Sequence, residues 1–292
     1  MAGVSSNSSG DGTPNPGLCD GRLTLTTGVP VTTADVTGAT TVYFTPYKGS
    51  RIALYDGSST WTEITFSEVS IALGTVTANK PYDVFGYNNG GTLVLEILVW
   101  TNDTTRATAM TLVNGVRCKT GATTRRLLGT LYTTSTTATA DAEATRYLLN
   151  EKHPVAKSAR KYTALGNTAM AADSAYRAYQ NSAVETQVNW LQSPNNFTML
   201  TSTTCSADNA AGRIFSLGVD SSTAASAAAT ANGSGNASVM ASTVVYVGVP
   251  AEGRHYACSV EGGSNVGINS NGANAMLGAL TMAAGVAGIV YV

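Results

Sequence analysis

The chain has 292 residues, of which only 12% are charged, about half the ~25% share of an ordinary soluble domain, and its formal net charge is -1. No global field exists to gather nucleic acid or an anionic membrane surface, so neither is expected as a partner. A 43% hydrophobic share is ample for a core and excludes a chain disordered throughout.

Residues 1–21 form a Ser/Gly/Pro/Asn-rich segment with hardly an apolar side chain. Ordering such a segment costs roughly 1–2 kcal/mol per residue in backbone entropy, which it cannot recover by burying itself. It is predicted to be an extended arm held on another protein or a neighbouring copy, with Leu18 as its one large apolar anchor. Its start, MAGVSSNSSGDG, has neither the basic nor the apolar region of a signal peptide, so a reducing compartment is expected. Cys19, Cys118, Cys205 and Cys258 contain no CxxC pair and are expected to be free thiols, mostly buried.

From Arg22 to Ala138 the pattern is β. In TVYFTPY, Val42 and Phe44 point one way and Tyr43 the other. KGS before Arg51 and DGSS at Asp56–Ser59 read as hairpin turns. Tyr43, Phe44, Tyr47, Tyr55 and Trp61 are expected to be cross-strand partners. NNGG between YDVFGY and TLVLEILVW marks the clearest hairpin. The second of these strands is apolar on both faces, with Leu93, Leu95, Ile97 and Val99 opposite Val94, Leu98 and Trp100, and is expected to be buried on both.

Residues 139–164 interrupt this pattern. Ala144, Tyr147 and Leu148 recur at helical spacing after the early acids Asp141 and Glu143, which predicts a partly helical connector ended or kinked by Pro154. Arg146, Lys152, Lys157, Arg160 and Lys161 gather positive charge there, but Glu143 and Glu151 are interleaved, so a solvated connector outweighs a docking site for acidic partners. Short β patterns return from residue 165, separated by the Ala/Ser/Gly stretch Ser221–Ser238. The last thirty-odd residues are uncharged, and ANAMLGALTMAAGVAGIVYV approaches the length of a membrane span. Its weak hydrophobicity and absence of flanking Lys or Arg argue instead for buried strands at a subunit interface, with no membrane span.

Catalytic patterns are absent. His153 and His255 have no metal-spaced partners, and there is no nucleophile elbow, P-loop or dinucleotide fingerprint. Asp56 and Asp220 read as turn residues rather than calcium ligands. Glu63, Glu68 and Glu96 are the residual candidates for a glycosidase carboxylate pair. No cofactor, metal or catalytic residue is assigned.

The segments TTADVTGATTVYFTPYKGSRIALYDG, KPYDVFGYNNGGTLVLEILVWTNDTTRAT and NGVRCKTGATTRRLLGTLYTTST, spanning Arg22 to Leu149, resemble a module recurring in tailed-bacteriophage virion proteins of tail-fibre-like kind. GVDSST (Gly218–Thr223) and GRHY (Gly253–Tyr256) resemble its companion domain less closely. LLNEKHPVAK replaces an aromatic-rich stretch common in that family. The resemblance implies a virion location, a structural role and no carried-over catalytic residue.

The expected architecture is all-β: an arm over 1–21, a β-sandwich or jelly-roll-like domain over 22–138, a connector over 139–164 and a second β domain over 165–292. The expected function is a non-enzymatic fibre or appendage subunit of tail, baseplate or head. Its expected partners are other copies of itself, as a homotrimer, other virion proteins such as portal, tail or capsid proteins, and a host-surface glycan. The alternatives are a capsid decoration protein stapling capsid subunits and, further off, a virion-borne carbohydrate-active enzyme.

Overall fold

A computed structural model describes residues 14–165, 177–178, 186–208, 213–231, 238–263 and 282–292. Every regular element among them is a strand. In chain order these are β1 (Gly21–Thr24), β2 (Val36–Ala39), β3 (Thr41–Pro46), β4 (Arg51–Tyr55), β5 (Trp61–Thr65), β6 (Val69–Ala72), β7 (Pro81–Asn89), β8 (Thr92–Val99), β9 (Met110–Val113), β10 (Val116–Lys119), β11 (Ala122–Tyr132) and β12 (Thr139–Ala142). There follow β13 (Thr145–Arg146), β14 (Leu148–Asn150), β15 (Ala156–Leu165), β16 (Arg177–Ala178), β17 (Val188–Gln192), β18 (Thr198–Asp208), β19 (Arg213–Val219), β20 (Ala227–Ala231), β21 (Ser238–Gly248), β22 (Gly253–Gly263) and β23 (Met282–Tyr291). The chain divides into two compact units. Unit 1 comprises residues 1–142, 147–155 and 292; unit 2 comprises 143–146 and 156–291.

Unit 1 contains a sheet β1-β3-β6, a sheet β8-β7-β11-β10-β9 with β14 added to β11, and the hairpin β4-β5. Alternation explains the core. Val42 and Phe44 of β3 are buried while Tyr43 is half-exposed, and Leu23, Ile52, Val84, Leu93, Leu128 and Leu131 from the three sheets join them in one cluster. Phe44 packs on Phe66 at 5.0 Å between ring centroids, and the paired residues Tyr55 and Trp61 at 5.3 Å.

The turns follow their residues. Gly90 and Gly91 link β7 to β8 with φ of 60° and 91°, the left-handed conformation a two-residue turn of this hand demands. Asp56 closes the β4–β5 turn: its Oδ1 accepts hydrogen bonds from the main-chain N–H of Ser58, Ser59 and Thr60. Those donors hold the carboxyl far below its ordinary value of 3.8. Because the folded value is the depressed one, the stabilisation is present above 3.8 and is lost as pH falls through the folded value. In thermal melts, the gap between wild type and Asp56→Asn is therefore expected to be widest at neutral pH and to shrink in acid. A gap constant down to strong acid would refute it.

Three expectations change on the structure. The 139–164 segment holds no helix: it forms β12, β13, β14 and most of β15. Residues 146–150 are buried in succession, which requires cover on both faces, and strand pairing through β11 and β17 provides partners that a short surface helix would lack. The local preference of Ala and Leu loses to that burial. The KGS turn does not pair β3 with β4; β3 lies between β1 and β6, and β4 pairs with β5. β8 is not buried on both faces along its length: Leu93 and Leu95 are buried, whereas Val94, Glu96 and Leu98 on the opposite face are half-buried.

Unit 2 carries the run β13-β17-β22-β19-β20, with β16 also on β22, and a sheet β15-β23-β18-β21. Trp190, Leu200, Leu217, Val260 and Val286 are fully buried, and Ser202 and Ser259 meet hydroxyl to hydroxyl at 2.8 Å inside. The end of the uncharged C-terminal run is strand β23, which pairs with β15 on one side and β18 on the other. Residues 264–281 of that run, and residues 1–13 of the arm, lie outside the described residues. No helix among the described residues is long and apolar enough to cross a membrane.

Candidate functional site

Residues 15–21 are fastened to unit 1. Asn15 caps a turn, its Oδ1 accepting from Gly17 N–H and its carbonyl from Leu18 N–H. Leu18 O then accepts from Ala53 N–H, Cys19 bridges Ile52, and Asp20 exchanges main-chain bonds with Tyr47, Lys48 and Arg51. His153 Nε2 lies 2.7 Å from Cys19 O. Leu18, assigned to an external anchor, is half-buried against this unit's own Ala53, Trp61, Val116 and Cys118. Residues 15–21 of the expected arm are thus part of unit 1's own packing.

Arg126 is the clasp. It is 1% exposed, and burial pushes its guanidinium below its ordinary value. Nη1 lies 2.9 Å from Pro16 O, 2.8 Å from Leu18 O and 2.7 Å from Ala53 O, so its two hydrogens are shared among three acceptors. Nη2 adds Gly17 O at 3.4 Å, and the guanidinium carbon stands 5.9 Å from the Trp61 ring centroid. All of these hydrogen bonds go to carbonyls. A buried cation held by carbonyl dipoles is stable only while they stay in place, so the N-terminal root and the unit 1 core form one construction. Sequence reading missed Arg126, although alternation in GATTRRLLGT places Arg125 and Arg126 on opposite faces of β11.

The charged groups nominated for chemistry are otherwise engaged. Glu63 binds Arg51 at 3.1 Å. Glu68 takes Thr27, Gly28 and Thr45 as donors; burial would raise its carboxyl, but these bonds outweigh it and hold it low. Burial likewise opposes, and Lys119 and Arg125 outweigh, at Glu96, which bonds them at 2.9 and 3.1 Å and ends below its ordinary value. The three glutamates take different partners. Asp83, 1% exposed, meets Arg106 Nε at 3.0 Å and Thr130 Oγ1 at 3.1 Å; burial pushes its carboxyl up against the pull of Arg106. Arg160 of the basic segment pairs with Glu143, and Arg146 donates to Ser158 O.

In unit 2, His255 Nδ1 lies 2.6 Å from Asp220 Oδ2 and Nε2 lies 2.7 Å from Ala251 O. Both partners are acceptors, and each ring nitrogen faces one of them. Among the described residues no group of His, Cys, Asp and Glu could hold a metal ion. Cys19, Cys118 and Cys258 are free and buried, and burial pushes the last two thiols up to about 11, far from the thiolate that nucleophilic chemistry needs. The side chain of Cys205 lies outside the described residues.

No protein-family model matches the chain, and no curated protein matches it.

Proposed function

We propose that the chain is a non-enzymatic structural protein of a bacteriophage virion: a fibre or appendage subunit, trimeric, attached through its N-terminal segment and meeting the host surface with its second unit. The observation that carries the reading is the fastened root at residues 15–21, preceded by the sequence MAGVSSNSSGDGT, which has little apolar surface of its own. The resemblance of Arg22–Leu149 to tail-fibre-like virion proteins supports it, as do the all-β architecture and the 12% charged content. On this reading both units are sandwich-like modules, rigid spacers whose output is position rather than turnover.

Deletion of residues 2–13 is expected to leave a folded, soluble protein that no longer joins the particle, since the Arg126 clasp is untouched. Quantifying the subunit in purified particles against wild type checks this. Normal occupancy of the truncated protein would place the attachment device elsewhere. Imaging labelled particles separates an appendage from a capsid decoration.

A further inference from the structure

His255 of β22 ties two loops of unit 2 to each other. Asp220, which follows β19 with φ of 54°, is pinned to β22 twice: its N–H donates to Tyr256 O at 2.9 Å, and its Oδ1 accepts from Tyr256 N–H at 3.1 Å. Its other oxygen, Oδ2, is left for His255 Nδ1 at 2.6 Å. Across the ring, Nε2 meets Ala251 O at 2.7 Å. Ala251 is exposed, in the loop 249–252 that joins β21 to β22 and enters β22 through Gly253 at φ 138°, a conformation suited to glycine. No other hydrogen bond holds Ala251 among the described residues.

A neutral imidazole has one N–H and one lone pair, and only the imidazolium has two donors. Since a carboxylate and a carbonyl both accept, only the doubly protonated ring donates to both. The residue is 3% exposed, so little water is at hand to replace a lost bond. When one proton leaves, the other stays with the carboxylate, whose charge-assisted bond is the stronger. The Nε2 lone pair then faces those of Ala251 O. The loosening falls on the loop, because Asp220 is pinned and the loop is not. We propose that His255 is a proton-operated latch, holding the 249–252 loop onto unit 2 when its ring is doubly protonated and releasing it when the ring is neutral. An imidazole changes charge at about pH 6.5 when unperturbed, so the tie is present in mild acid and lost as pH rises.

The loop prolongs β21, and Val245, Val247 and Val249 stand outward along the two, 52%, 63% and 61% exposed, so release alters how an apolar row is presented. Among the neighbouring groups, Glu252 lies in the loop itself, Arg254 donates from Nη2 to Asn189 Oδ1, and the Trp190 ring 5.7 Å away is neutral. Burial above all pushes the Tyr246 and Tyr256 phenols up, and the Cys258 thiol to about 11, so these stay uncharged while the imidazole titrates.

NMR of the isotope-labelled full-length chain from about pH 5 to about pH 8 reads both parts of the latch. At the acid end both ring nitrogens of His255 are expected to carry hydrogen, with the Ala251 and Glu252 amides as well ordered as those of β22. As pH rises, Nε2 should lose its hydrogen and the loop should loosen in step, its open form gaining roughly tenfold in population, about the worth of one hydrogen bond. Asp220→Asn removes the charge that retains the Nδ1 proton and is expected to move the transition to lower pH. His255→Gln should make the order of the loop independent of pH over this range. The wild-type readings stand alone if either variant fails to fold. A ring singly protonated at the acid end, a neutral ring that keeps its hydrogen on Nε2, or a loop whose order does not follow the ring would overturn the proposal.

Discussion

Arg126→Ala is expected to cost unit 1 on the order of 4 kcal/mol. The substitution strips the Pro16 and Ala53 carbonyls of this buried donor and leaves Leu18 O with only Ala53 N–H, and each orphaned group costs about 1–3 kcal/mol. The neighbouring Arg125→Ala supplies the contrast. Its side chain is 31% exposed, bonds Glu96 and lies 4.1 Å from the Tyr87 ring centroid, and the change is expected to cost about 1 kcal/mol or less. Chemical denaturation of both variants, followed by the unit 1 signal of Trp61, measures the difference. Equal losses would show that the carbonyl cage contributes nothing particular. Arg126→Lys should fall between wild type and alanine, because an ammonium keeps the charge but cannot span the same carbonyls.

Trp190→Ala is the matching experiment for unit 2, with an expected cost of roughly 3–5 kcal/mol. Trp190 is fully buried, its ring lies 5.7 Å from His255, and its indole N–H donates to Gln192 Oε1 at 3.1 Å. Gln192 is itself held by Thr198 Oγ1 at 2.6 Å, so truncation opens a cavity and removes one donor from a buried polar network. Trp190→Phe should recover much of the packing but not that hydrogen bond. A loss below about 1 kcal/mol for the alanine variant would mean the site collapses freely.

The contrast between these residues shows which parts of the molecule could be read beforehand. Val42, Tyr43 and Phe44 alternate, and Gly90-Gly91 supplies its own φ requirement; both signals lie within a few residues, and both elements form as expected. Tyr147 and Leu148 misled because a period of three or four can arise where turns separate very short strands, and what decides there is the cover from β11. The Arg126 partners at Pro16, Gly17 and Leu18 stand 110, 109 and 108 positions away along the chain. No local pattern encodes such a meeting. Only the inward half of the signal, an arginine at an alternating buried position, was there to be noticed. The outer face of unit 2 was partly legible as STVVYVGVP, whose valines repeat every second residue, but its exposure depends on which strands neighbour it.

Val155 and Val292 exchange main-chain hydrogen bonds at 2.8 and 3.0 Å within unit 1, while the next residues inward, Ala156 and Tyr291, face each other as a register pair within unit 2. The chain thus leaves and regains unit 1 at adjacent points on two antiparallel strands. Apart from the short excursion Glu143–Arg146, the residues between them, 156–291, make up unit 2. A different module with neighbouring antiparallel ends could be spliced in at those two valines without altering a single strand pairing of unit 1. Such a layout lets unit 2 be exchanged while unit 1 keeps its own pairings.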